Sequence, residues 1–375
     1  MLAIYGFFQS ILRGLQNLLG SYGLAVIGFT LIVRICLFYF DFKSRKSMRK
    51  MSSVQPKVAM LQKKYANDRD KLNRKMSELY KQEGVSPLSG CLPMLLSYPI
   101  LIIMFNAMRF YANDQVVFQV VDFLKQGGTA APNYEPFLWI KNLYMADNPF
   151  VSAMPNLSSL QLAADSWRNL NVLTLDRVQE LIGGIEPMIA NSSLTLTEVQ
   201  AAFWDEMKAV AQQGDAQKWL TFLNSTAEGM KQSNLNRMLE ILSNAMTSTP
   251  YYQANCGNSN LSVVLLGNIQ KDWNGLIILP IASAVSQILM TKLNPSQQQP
   301  AAAGDAQAQA SQSTGKFMMW FFPIFSLWIC YSSTGAFALY WVASNLIAMI
   351  QTVAVNKYLD SKEKKDKIAG EGIVQ

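Results

Sequence analysis

One arginine, Arg34, interrupts the apolar run VIGFTLIVRICLFYF at residues 26–40. A run of this composition is typical of a membrane-spanning helix, in which a charged residue is costly and rare. The guanidinium group keeps its proton at physiological pH, so it does not lower this cost by becoming neutral. Arg34 therefore predicts a site that attracts anions, such as carboxylates, at membrane depth.

Polar side chains also occur in the other apolar runs, where each is more often a contact between helices than a functional group. No Asp or Glu lies in the interior of these runs, and a cation costs far less in a water-filled cavity than unpaired among apolar neighbours. The alternative is that Arg34 extends towards the cytoplasmic headgroups, near Asp41, about 10 Å along the helix. We expect a polar groove, open to the cytoplasm, with these residues: Arg34, Thr30, Ser97, Gln287, Tyr340, Trp341, Ser344 and Asn345.

Other chemistries lack the residues that they need. The chain has no histidine, which excludes a His-based catalytic triad, and its four cysteines form no CxxC pair. Neither a zinc site nor a disulfide framework is therefore expected. The nearest match to a phosphate-binding loop, STGK at 313–316, has Ala310 and Phe317 where the motif requires Gly and Ser or Thr. We expect no cofactor, no bound metal and no enzymatic activity.

The elements that must position Arg34 are five apolar stretches, since a helix needs about 20 residues to cross a membrane. Half of the chain is hydrophobic, yet its mean hydropathy is only +0.11, which fits a membrane protein with sizeable aqueous regions. The predicted fold is an all-α polytopic membrane protein with five transmembrane helices around a hydrophilic groove. The spans are predicted at residues 21–41, 88–110, 273–293, 317–333 and 335–357, with a turn, SSTG, at 332–335.

The charge distribution predicts the orientation of these spans. Residues 42–87 contain 13 Lys and Arg against 4 Asp and Glu, whereas residues 111–270 contain 8 against 14. By the positive-inside rule the short basic loop is cytoplasmic, which places residues 111–272 and the N-terminus outside. The loop 294–316 and the tail 358–375 are then cytoplasmic.

Three further segments have a recognisable pattern. Residues 1–20 carry apolar side chains at helical spacing, which favours an amphipathic helix in the outer interface over a secretory signal. Residues 42–87 predict two short helices in an antiparallel hairpin, with ANDRD at 66–70 as the turn. A solvated linker is the alternative. Residues 293–315 are of low complexity and are expected to be disordered.

The outer loop contains an insertion, roughly 151–270, that reads as a small and mostly helical domain. A capping box formed by Thr195 and Glu198 predicts the start of one helix. The apolar face of that helix is expected to carry Val199, Phe203, Met207 and Val210.

Several stretches in this order resemble the bacterial YidC membrane insertase family, in its Gram-positive-like form, which has mitochondrial and chloroplast relatives. They are YGLAVIGFTLIVRICLFYF, the basic hairpin that leads into GCLPMLLSYPILIIMF, FLWIKNLYMADNP at 137–149, and FFPIFSLWICYSSTGAFALYWVASNLIAMIQTVAVNKYL. The resemblance covers about 21–150 and 271–360. Ser97 stands where a glutamine is expected, which leaves one polar contact of the groove shorter or missing. The resemblance says nothing about the insertion.

The resemblance implies a groove in the inner leaflet that is closed to the outside and open sideways to lipid. It implies an insertase and chaperone in the bacterial plasma membrane, with nascent membrane proteins and the ribosome as partners, alone or beside the Sec translocon. The basic hairpin is also expected to contact anionic lipids, and no DNA is expected to bind. The alternative function is a small-anion transporter or channel that uses Arg34. Against it, the sequence shows neither an inverted repeat nor an intramembrane carboxylate or histidine relay.

Overall fold

The computed structural model describes residues 2–84, 92–157, 173–226, 233–263, 267–293 and 306–371. These residues are mostly helical, in agreement with the predicted class, and they include one two-stranded sheet. The elements, in chain order, are α1 (Leu2–Leu19), α2 (Tyr22–Lys64), α3 (Arg69–Gln82), α4 (Leu92–Lys125), α5 (Leu175–Ala190), α6 (Glu198–Gln212), α7 (Ala216–Asn224), α8 (Asn234–Thr247), α9 (Pro250–Asn255), β1 (Asn258–Val263), β2 (Gly267–Gln270), α10 (Ile278–Leu293), α11 (Ala306–Ser332) and α12 (Gly335–Glu371).

The chain forms two compact units. The first unit contains the predicted outer loop, and the second contains most of the apolar helices together with the basic segment 42–87. The first unit consists of Met1–Gly23, Phe105–Ile278 and Tyr331–Phe337, and the second of Leu24–Met104, Leu279–Cys330 and Ala338–Gln375.

The helix α2 is continuous from the first predicted span into the basic loop, and it has 43 residues. The two predicted helical arms are present, and the break between them overlaps the predicted ANDRD turn, but the first arm is the end of α2 and not a separate short helix. Residues 42–64 can extend the apolar helix because Lys, Arg, Met and Gln are good helix formers. The helix continues through Pro56 although proline removes one backbone hydrogen bond. The second arm is α3, which starts after Asp68, and Asp68 accepts a hydrogen bond from the backbone N–H of Lys71 at 3.0 Å.

Two predictions about the C-terminal region are also corrected. Residues 306–316, expected to be disordered, form the start of α11, and 294–305 lie outside the described residues. The last helix does not stop at 357, the predicted end of the fifth span, since α12 continues into the tail as one helix of 37 residues to Glu371. The small residues and Gln at 306–314 and the alternating Lys and Glu of the tail are compatible with helix once an apolar helix nucleates it. The break between α11 and α12 lies within the predicted SSTG turn.

By length and composition, α2 and the Gly335–Lys365 part of α12 could cross a membrane. Shorter apolar helices within the described ranges are α10 and the Met319–Ser332 part of α11. The second predicted span lies on α4, which continues 15 residues beyond its predicted end at 110. The number of spans and their orientation remain predictions.

The insertion is helical, as predicted, through α5 to α9, and consecutive helices pack against each other. Its apolar interior includes Phe203 and Trp204 of α6 and Trp219 of α7, all at most 2% exposed. The indole N–H of Trp219 donates to the carbonyl of Leu173 at 2.7 Å, which satisfies this polar group within the interior.

Details of the insertion differ from the prediction. The capping box is formed by Thr197 and Gln200, not by Thr195 and Glu198, because Thr197 has the extended backbone of an N-cap. Val199 is therefore 53% exposed rather than part of the apolar face. The non-helical part of this mostly helical domain includes the antiparallel pair of β1 and β2, in which β-branched side chains occur and β2 begins with Gly267 at φ +105°.

A buried asparagine pair fixes the outer segment 137–149 within the first unit. Asn142 and Asn274 are fully buried, and the backbone N–H of Asn142 donates to the side-chain oxygen of Asn274 at 2.8 Å. The side-chain NH₂ of Asn274 donates in turn to the carbonyls of Asn142 and Ala146, at 3.0 and 2.8 Å. These bonds hold the segment rigidly against the residues that precede α10.

The amphipathic helix α1 is attached to α4 by polar contacts. Arg13 forms an ion pair with Asp114 at 3.4 Å, and the hydroxyl of Tyr111 donates to the side-chain oxygen of Gln16 at 2.5 Å. Leu12, on the same helix, is fully buried, whereas Leu18 is 79% exposed. The helix is thus amphipathic, as predicted, and its placement in the outer interface is a proposal.

Candidate functional site

The structure brings Arg34 of α2 and Ser344 of α12 together. The Nε and Nη2 atoms of Arg34 both donate to the Ser344 hydroxyl, at 3.0 and 2.6 Å. The Arg34 side chain is 22% exposed, while Ser344 is buried. The guanidinium group is therefore neither on the open surface nor sealed among apolar side chains.

The carboxylate of Asp41 lies near Arg34. From the sequence, Asp41 was considered only as the end of the span. The Nη1 atom of Arg34 is 3.9 Å from an Asp41 oxygen, a distance at which the charges attract but no hydrogen bond forms. Asp41 follows Arg34 by seven residues, two helical turns, so both lie on one face of α2. This spacing was the signal that could have identified the pair.

Two consecutive residues of α12 connect it to two other helices. Ser344 contacts Arg34 on α2, and the side-chain NH₂ of Asn345 donates to the Ser286 hydroxyl on α10 at 2.9 Å. Two turns beyond Ser344 along α12, the side-chain NH₂ of Gln351 donates to the backbone carbonyl of Arg34 at 3.3 Å. Polar contacts therefore join α12 to Arg34 of α2 and, at the neighbouring residue, to α10.

The other predicted groove residues are placed differently. Thr30 is fully buried, and its hydroxyl donates to the Val26 carbonyl of the same helix at 2.7 Å, so it has a structural partner. Tyr340 is buried one turn before Ser344, while Trp341 and Gln287 are half-buried. Ser97 belongs to α4, and its side chain lies outside the described residues.

A second arginine of α2, Arg49, holds the C-terminal part of α12. Its Nη1 atom is 2.8 Å from Asp360 and 3.5 Å from Glu363, and its Nη2 atom donates to the Asn356 carbonyl at 3.1 Å. The ring of Phe42 also lies 6.1 Å from that of Tyr358. Arg49 was not a predicted site residue, because the acidic residues that bind it lie more than 300 positions away in sequence.

The described ranges contain few residues that could bind a metal ion or take part in redox chemistry. No group of three or more Cys, Asp or Glu side chains there could hold a metal ion. Cys36, Cys256 and Cys330 are free thiols.

Comparison with known proteins identifies the family to which the chain is similar. The model of the 60Kd inner membrane protein family matches residues 14–204 and 220–363. The membrane protein insertase YidC of Geobacter sulfurreducens is 40% identical over 99 residues, which is 26% of this chain and 19% of that protein. The membrane protein insertase YidC of Francisella tularensis subsp. novicida is 37% identical over 153 residues, 40% of this chain and 24% of that protein.

These alignments cover a quarter or less of each relative's length, so they do not by themselves transfer the activity of a whole relative. The family model, in contrast, matches most of the chain and includes Arg34, Ser344 and Asn345. The chain belongs to the 60Kd inner membrane protein family, the family of the YidC membrane insertases.

Proposed function

We propose that this chain is a membrane protein insertase. It moves short hydrophilic segments of its clients across the membrane through a groove that bears Arg34 and opens to the cytoplasm. It then releases their apolar helices into lipid, without hydrolysing a nucleotide. Family membership supports the insertase activity, and the single observation that carries the mechanism is the partly exposed Arg34 on an apolar helix.

The surroundings of Arg34 orient its charge and offset only part of it. The hydroxyl of Ser344 is a neutral acceptor, and Asp41 lies beyond hydrogen-bonding distance. A client carboxylate about 4 Å from the guanidinium gains about 1 kcal/mol in a water-like medium and about 4 kcal/mol at a dielectric constant near 20. This attraction is enough to retain a client segment briefly and weak enough to allow its release.

The groove acts by shortening the dry part of the path. The hydrocarbon core is about 30 Å thick, and a hydrophilic segment that crosses it unaided loses its hydration. Water in the cytoplasmic half removes part of this barrier. The apolar helix of the client then leaves water, which contributes about 0.8 kcal/mol per buried methylene group. The membrane potential assists acidic segments, so no nucleotide is required.

The basic residues of α2 and α3 supply the cytoplasmic partners in this proposal. Their charge suits anionic headgroups and the polyanionic RNA of a ribosome that delivers nascent membrane proteins. The Lys57–Glu83 ion pair, at 2.5 Å, connects the two arms of this hairpin. We propose that the chain lies in the bacterial plasma membrane with its C-terminus in the cytoplasm and works alone or beside the Sec translocon.

The test uses purified chain in liposomes and two single-span clients that differ only in whether the crossing terminus is acidic or neutral. Insertion is measured by protease protection without nucleotide. Arg34→Ala is expected to slow insertion of the acidic client at least about fivefold, since it loses about 1 kcal/mol or more of attraction. Arg34→Lys keeps the charge but loses the two bonds to Ser344, so its defect is smaller.

The matched control is Lys46→Ala, which removes one charge from an exposed position of the same helix. It is expected to leave the insertion of both clients unchanged. Equal insertion of the acidic client by wild type and Arg34→Ala would overturn the groove mechanism. Flux of small anions that depends on Arg34, with no insertion of either client, would instead establish the transporter alternative.

A further inference from the structure

A strained leucine stands at the tip of a tight turn in the first unit. The backbone N–H groups and carbonyls of Phe137 and Ile140 bond to each other at 2.9 and 3.0 Å, which leaves Leu138 and Trp139 as the two central residues. Leu138 has φ +54°, and its side chain is 74% exposed. A turn with a positive φ at its first central residue normally has glycine there.

Both features of Leu138 oppose folding in water. A non-glycine residue in this backbone region is strained, and such strain is retained mainly where the surroundings or the function require it. An apolar side chain exposed at a tip also gains nothing from burial within the chain. The position would be better filled by glycine or asparagine if it faced only water.

The backbone of the turn is not free to relax and relieve this strain, because hydrogen bonds hold the residues that flank it. The indole N–H of Trp139 donates to Asp147 at 3.2 Å, and the backbone N–H of Lys141 donates to the Asn274 carbonyl at 3.1 Å. The buried Asn142–Asn274 pair follows directly. Leu138 is therefore presented in one direction by a rigid support.

The turn also lies against the beginning of α2. A side chain at Gly23 would overlap the ring of Phe137, so this ring packs directly on the backbone at the second residue of the helix. Leu138 is the next residue in the chain, and its Cα lies about 3.8 Å from that of Phe137. In the proposed orientation this end of α2 is at the outer headgroup level.

We propose that Leu138 is a lipid anchor: its side chain inserts into the outer headgroup layer and fixes the first unit at the membrane surface beside the start of α2. The anchor depends on the proposed function only through α2 as a spanning helix. An interfacial leucine beside a tryptophan is a combination that membrane surfaces favour. The contact with lipid supplies the apolar surroundings that the turn lacks in water.

The first experiment measures contact with lipid directly. The full chain, with its four native cysteines replaced by alanine, receives a single cysteine at Leu138 and a fluorescent label, and is placed in nanodiscs containing headgroup spin-labelled lipid. The control site is Val199, which is apolar and 53% exposed on α6. We expect several-fold stronger quenching at position 138 than at position 199. Equal quenching at the two positions would overturn the proposal.

The second experiment separates a lipid contact from a mere turn preference. In nanodiscs, Leu138→Asn is expected to lower the thermal unfolding midpoint, although asparagine tolerates positive φ better, whereas Leu138→Met retains the midpoint. A higher midpoint for Leu138→Asn would show that the leucine faces water and would refute the anchor.

A photoreactive residue at position 138 tests the alternative that this side chain contacts a client polypeptide rather than lipid. Its capture of a stalled nascent chain instead of lipid would assign the tip to clients and overturn the anchor. Neither the quenching nor the unfolding readout requires insertion activity. A chain that anchors at Leu138 but inserts no client would therefore refute the proposed function and leave this inference standing.

Discussion

The buried carboxyl of Asp114 makes the stability of the first unit depend on pH in an unusual direction. Its side chain is 1% exposed, one oxygen is 3.4 Å from Arg13, and the other is buried without a hydrogen-bond partner among the described residues. Burial raises the pKa of Asp114 from the ordinary 3.8 to about 7, and the charge of Arg13 opposes part of this rise.

A carboxyl whose pKa is raised in the folded state is protonated there at a pH where the unfolded chain has already lost the proton. Folding then takes up a proton, so the stability falls as pH rises from about 4 to about 7 and levels off above that. The difference between the two pKa values corresponds to about 4 kcal/mol at 1.36 kcal/mol per pH unit.

Denaturant unfolding in nanodiscs between pH 4.5 and about 8, followed by tryptophan fluorescence, checks this prediction. Asp114→Asn is expected to remove the fall in stability, because the amide does not titrate. Arg13→Gln is the informative partner, since it removes the opposing charge and moves the fall to higher pH. The reasoning is refuted if Asp114→Asn retains the pH dependence of wild type, or if Arg13→Gln moves it to lower pH.

Two further predictions use neighbouring positions as controls. A Cβ at Gly184 would lie 2.9 Å from the Leu124 carbonyl, so Gly184→Ala is expected to destabilise by about 1–3 kcal/mol, whereas the open space at Gly183 makes Gly183→Ala neutral or stabilising by up to about 1 kcal/mol. Thr197→Ala removes the observed cap of α6 and is expected to cost about 1 kcal/mol, against almost nothing for Thr195→Ala. The same unfolding measurement checks both pairs, and equal losses within a pair would contradict the corresponding contact.

Local patterns predicted the helices well where apolar residues dominate, as at the break between α11 and α12. These patterns gave a wrong prediction where two neighbouring sequence motifs were both consistent with the same structural feature. Both Thr195 and Thr197 stand three residues before a Glu or Gln, and only the backbone angles decide which one caps the helix. The continuity of α2 past residue 41 was missed for a similar reason, because polar residues alone do not show whether a helix ends or only leaves the membrane.

The site was predictable in part. An arginine within an apolar run is easily recognised in the sequence. Its hydrogen bond to Ser344, however, joins residues 310 positions apart and depends on packing that no local sequence pattern contains. The turn at Leu138 gave no signal, since leucine is not a turn residue. Residues whose burial is costly are easily recognised in a sequence. The partner side chains that offset this cost are recognisable only when they lie on the same helix, as Asp41 does.

Because α2 is one continuous helix, movement of one end would be transmitted along its length. Its 43 residues extend about 65 Å, and the part beyond residue 41 reaches about 35 Å past the predicted span. If α2 crosses the membrane in the proposed orientation, a rotation of 10° about the end of the predicted span would displace the far tip by roughly 6 Å. Load applied at this tip would then turn the segment that carries Arg34, and the contacts of Arg49 would transmit the motion to α12.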